Sequence, residues 1–86
     1  MTGAMLSLAD EQGRYRIELG GVMGEPGLAL YDVNGKNRVW LCVGEEGPRL
    51  VLHDEKGQER ALLGVAEEGP RLLLRDEKGK AIWSAP

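Results

Sequence analysis

The chain of 86 residues has no phenylalanine, one cysteine, one histidine, and only 5% aromatic residues. Its 13 glycines and 4 prolines are so evenly spread that the longest stretch free of both is nine residues, Ala4 to Gln12. Such a stretch is shorter than an ordinary globular helix, which excludes transmembrane helices, coiled coils and helix bundles. Cys42 has no partner for an internal bridge, and with His53 as the only other soft ligand it cannot build a zinc site. No block of like charge suggests a nucleic-acid or membrane-surface patch. The N-terminus lacks the basic and apolar regions of a secretory signal, so the default expectation is cytoplasmic.

What is present is a soluble composition, 42% apolar and 29% charged with a formal net charge of −3, in a length that allows one small domain. Residues 1–5 read as an expression scar or disordered N-terminus and 6–86 as a single domain.

Self-comparison at a shift of 22 residues organises that domain. Between Val43–Gly57 and Val65–Gly79, 12 of 15 positions are identical. The same period aligns Leu6, Leu28, Leu50 and Leu72; Leu8, Leu30, Leu52 and Leu74; Asp10, Asp32, Asp54 and Asp76; and Gly13, Gly35, Gly57 and Gly79. Pro26, Pro48 and Pro70 open three units, and Arg16, Arg38 and Arg60 share a position that Ile82 fills in the last. The repeats span 4–25, 26–47, 48–69 and 70–86.

Each unit reads as a β-hairpin. The L-x-L spacing has the two-residue period of a strand with one buried face. In the D-x-x-G turn the Asp carboxylate accepts backbone N–H groups and Gly supplies a positive φ. Val39, Leu41 and Val43, then Ala61, Leu63 and Val65, continue the pattern on the return strands, with Arg38 and Arg60 on the opposite face. A four-residue loop sets Leu28, Leu30, Val39 and Leu41 on one face; a three-residue loop with a glycine bulge groups the leucines with Arg38 and Trp40. The first is the expected arrangement because it segregates the apolar residues. Between hairpins, Glu45-Glu46-Gly47-Pro48 and Glu67-Glu68-Gly69-Pro70 form polar turns, with proline starting the next strand.

The expected fold is therefore an all-β meander of about eight short antiparallel strands. A core of Leu and Val without Phe is thin support for an ordered chain of this length. The expectation is a homotrimeric β-prism whose core combines Leu6, Leu8, Leu28, Leu30, Leu50, Leu52, Leu72, Leu74, Val39, Leu41 and Leu63, and the alternative is a monomeric β-barrel or sandwich.

The motif L-x-L-x-D-x-x-G-x-x-R-x-x-L, at Leu28–Leu41 and again at Leu50–Leu63, resembles tandem 22-residue hairpin repeats of bacterial and phage-related proteins. That resemblance covers almost the whole chain and implies a β-repeat stalk or assembly module without catalytic residues. Ile82-Trp83-Ser84-Ala85-Pro86 departs from the pattern.

Little else suggests chemistry. His53 occupies a position filled elsewhere by Tyr31 and Arg75, as an exposed strand position would, and Cys42 reads as a small packed side chain. Ser7 and Ser84 lack the surroundings of a nucleophile. The acidic turns contain Lys56 and Lys78 and match no calcium loop, so neither metal nor cofactor is expected. Trp40, Tyr31 and Trp83 are the candidates for stacking against a carbohydrate or a partner protein. For Trp40 the competing role is a cover at the edge of the leucine layers, and for Trp83 a plug of the last layer. The functional expectation is a non-enzymatic, homo-oligomeric spacer, with a binding module as the alternative.

Overall fold

The computed structural model describes residues 5–22 and 25–85. Eight strands follow one another as β1 (Met5–Ala9), β2 (Tyr15–Val22), β3 (Glu25–Tyr31), β4 (Asn37–Gly44), β5 (Gly47–His53), β6 (Glu59–Ala66), β7 (Gly69–Arg75) and β8 (Ala81–Ala85). They form one antiparallel sheet in that same order, an all-β meander. Met5, assigned from the sequence to the N-terminal scar, is the first residue of β1, and Met1–Ala4 lie outside the described residues.

The sheet is open. Among the described residues contacts between elements join only consecutive strands, so β1 and β8 are edge strands and no second sheet covers the first. Extents of 39 × 32 × 14 Å are those of a single layer. Within one chain these observations replace the barrel and sandwich alternatives: closure requires pairing of the first and last strands, and a sandwich requires two stacked sheets.

The four D-x-x-G turns share one construction. Oδ1 of Asp10, Asp32, Asp54 and Asp76 each accepts hydrogen bonds from the N–H groups two and four residues later, at 2.9–3.1 Å. The N–H of Gly13, Gly35, Gly57 and Gly79 returns to the same Asp's carbonyl. These glycines have φ between 81° and 87°, a region that other residues enter only with strain.

The register corrects the mechanism expected from sequence while keeping its result. Asp32 N–H donates to the Lys36 carbonyl, and Tyr31 pairs with Asn37, as in a three-residue loop with a glycine bulge. Leu30 nevertheless pairs with Val39, because Arg38 is an extra residue that the ladder skips. The second irregularity reverses the parity change of the first, and Leu28 and Leu30 face the same side as Val39 and Leu41. The other hairpins skip Arg16, Arg60 and Ile82 in the same way.

Proline occupies the second position of β3, β5 and β7, not the first as expected. In β5 the first position belongs to Gly47, with φ 132°. A methyl group there would overlap the Val65 carbonyl oxygen of the adjoining strand. The turns before β5 and β7 are closed by pairs Gly44↔Gly47 and Ala66↔Gly69.

Candidate assembly face

Register arranges the repeated leucines into two rows that cross all eight strands. One runs Leu6, Leu19, Leu28, Leu41, Leu50, Leu63, Leu72, Ala85, each residue the cross-strand partner of the next. The other runs Leu8, Ile17, Leu30, Val39, Leu52, Ala61, Leu74, Trp83. Every residue expected in the oligomer core lies on this face. Ile17, Leu19 and Trp83 join them; the first two were missed although the 22-residue period puts them in register with Val39 and Leu41.

The rows are laterally packed but uncovered. Leu6, Leu8, Leu19, Leu41, Val43, Leu52, Leu63, Val65 and Trp83 are each between 41% and 54% exposed. A shallow apolar trough lined by Leu19, Pro26, Leu28, Leu41, Val43 and Pro48 runs along the face. The buried apolar residues are instead on the other side: Ala29, Cys42 and Val51. Ala29 pairs with Glu18 and Trp40, Val51 with Trp40 and Leu62, and Cys42 with Gly27 and Arg49. Larger neighbours can cover these small residues within one chain, whereas two flush leucine rows have nothing above them.

The three aromatic candidates are divided between the faces. Trp83 belongs to the leucine face, while Trp40 lies with Tyr31 on the opposite one, which removes Trp40 as a cover for the leucine layers. The Tyr31 hydroxyl donates a short hydrogen bond to the Glu18 carboxylate, and that bond raises the phenol's pKa above its ordinary value. Beside Cys42, Arg49 and Glu25 form an ion pair at 3.3 Å. Burial and the Glu25 carboxylate together push the thiol's pKa up, as expected of a packed cysteine and not of a nucleophile. His53 is half-buried rather than exposed, and its Nδ1 is enclosed without a hydrogen-bond partner among the described residues.

The polar side also carries a repeated clamp. Nε of Arg16, Arg38 and Arg60 donates to the carbonyls of Tyr31, His53 and Arg75, at 3.0, 2.8 and 2.8 Å. Nη1 of the same residues lies 3.3–3.5 Å from the turn carboxylates of Asp10, Asp32 and Asp54. Each guanidinium thereby ties its own turn to the next hairpin, using the planar fork that lysine lacks. Sequence periodicity identified these arginines but not their partners.

Among the described residues no cluster of three or more His, Cys, Asp or Glu could hold a metal ion, and no helix is long and apolar enough to cross a membrane. No family model and no curated protein matches the chain, so the functional reading rests on its own surfaces.

Proposed function

We propose that the chain is a non-enzymatic structural or assembly module, a rigid β-repeat spacer formed when three copies cover one another's leucine faces in a homotrimeric prism. The observation that carries this reading is surface in excess. A compact monomer of 9.4 kDa exposes roughly 5000 Å² by the usual scaling with mass, and this chain exposes 6313 Å².

The surplus is concentrated where association can use it. Nine half-exposed large apolar side chains leave on the order of 700 Å² on one face, above the patch size of an ordinary monomer and close to the contribution of one partner to a stable interface. The rows run in the stacking direction of the strands. Three faces set around an axis in that direction bring the leucines of each repeat into a common layer, with Trp83 at one end. Trp40 and Tyr31 remain on the outward side, which favours a second reading, a protein or carbohydrate platform displayed on the same assembly.

Light scattering after size exclusion is the direct test, with an expected mass of about three times 9.4 kDa. A cooperatively folded monomer persisting at low concentration overturns the proposal. Saturable tryptophan fluorescence changes in a glycan or protein screen would support the platform; a pure spacer shows none.

A further inference from the structure

The clamp that joins successive hairpins is incomplete at both ends of the sheet, and the two gaps are complementary. At the first edge, the 22-residue repeat places the Ala9 carbonyl where Tyr31, His53 and Arg75 accept a guanidinium, and no side chain among the described residues reaches it. A second row behaves alike: Arg14 Nη1 donates to the Val33 carbonyl at 3.3 Å and Lys36 Nζ to the Glu55 carbonyl at 2.8 Å, and the corresponding acceptor at the first edge is the carbonyl of Glu11.

At the last edge the donors are the question. Lys80 occupies the position of Arg14 and Lys36, but Ile82 stands where the clamp needs arginine. Asp76 Oδ1 is engaged by its own turn, and among the described residues its carboxylate has no cationic partner, unlike those of Asp10, Asp32 and Asp54.

We propose that β1 is a docking edge for the arginine-bearing return strand of another D-x-x-G-x-x-R hairpin, and that Ile82 prevents a second copy of this chain from filling it with β8. Exposed strand edges pair readily with a strand that matches them, and a missing charge-assisted contact discriminates against the wrong one. The edge is separate from the leucine face, so the docking does not depend on the trimer.

Ile82→Arg supplies the missing donor with Asp76 already in place, and since Ile82 is 63% exposed the fold should tolerate it. The expected result is a concentration-dependent series of masses at multiples of the wild-type particle, and amide shifts at Leu6–Ala9 of isotope-labelled wild type on mixing. Ile82→Lys, which cannot bridge carboxylate and carbonyl with a fork, should associate about tenfold more weakly. Unchanged mass, association without shifts in β1, or equal behaviour of the Lys variant overturns the proposal. Should Ile82→Arg lose cooperative melting, a peptide copying residues 47–66 is titrated into wild type instead. Binding at β1 that weakens about tenfold on Arg60→Ile supports the proposal; no binding, or equal binding, overturns it.

Discussion

Arg38, the residue skipped by the ladder at the start of β4, donates through Nε to the main-chain carbonyl of His53 at the end of β5, at 2.8 Å. The bulge and the clamp are one device. Were Arg38 paired with Leu30 in an unbulged ladder, the leucines and the return-strand valines would fall on opposite faces, and the residue skipped instead is the one whose side chain ties its hairpin to the next.

Replacing Arg60 with alanine should therefore cost more than an ordinary surface change. Two charge-assisted contacts are lost and the Arg75 carbonyl loses its side-chain partner, for an expected loss of about 1–2 kcal/mol. Urea unfolding checks the value. Arg60→Lys should recover only part, and a cycle with Asp54→Asn should show coupling between the two side chains.

Acid should weaken the turns. The Lys36 N–H is the main cause holding the Asp32 carboxyl below its ordinary pKa, and the Gln58 N–H does the same for Asp54, with smaller contributions from Arg38 and Arg60. A folded-state value below the unfolded one means that this stabilisation is present above about pH 3.9 and is lost as pH falls through the folded value. Melting temperatures measured from pH 7 downward should drop most steeply below about pH 4. The double variant Asp32→Asn/Asp54→Asn should show a shallower acid limb.

Gly47 and Gly69 occupy equivalent turn positions with φ of 132° and 129°, yet their substitution should not be equivalent. Both alanine variants adopt an unfavourable backbone, but only at Gly47 does the new methyl meet the Val65 carbonyl; at Gly69 nothing among the described residues lies within 4 Å. Gly47→Ala should be the more destabilising by at least about 1 kcal/mol. Thermal melts of the two variants provide the comparison, and equal losses would contradict the packing described.

Leu63 is 51% exposed in the single chain, so Leu63→Lys should have little effect on an isolated sheet. If copies cover the face, the substitution places a charge in an apolar interface and lowers the assembled mass. Its melting temperature should also lose the dependence on protein concentration expected of wild type.

Cys42 is 1% exposed. Its thiol should react with a disulfide reagent only after local or global opening, at a rate that rises with urea. Rapid labelling of the native protein would show that the strand β4 is less protected than its register implies.

The period-two leucines and D-x-x-G turns were legible because their causes are local: alternation along a strand, and a carboxylate within reach of its own turn. The same locality explains what was missed. Arg38 and Arg60 were visible as periodic residues, but their acceptors lie 15 positions away on the next hairpin, a relation that register alone discloses. Leu28 and Leu50 were expected to be inward, and within one chain they stay only half covered, while Ala29, Cys42 and Val51 are buried on the other face. Apolar character marked the side left uncovered within one chain, and small size marked the side that packs there. Ile17 and Leu19 were passed over because the first unit lacks the proline and the close sequence match that made the later copies obvious.

Because among the described residues each strand touches only its neighbours in sequence, the sheet is a ladder of repeated rungs. Removing one internal unit, residues 48–69, should shorten it by two strand spacings, about 10 Å, and leave every remaining junction as it was. Span is thereby decoupled from identity: copying or deleting a segment of DNA resets the width of the sheet while the leucine rows and turns recur in register.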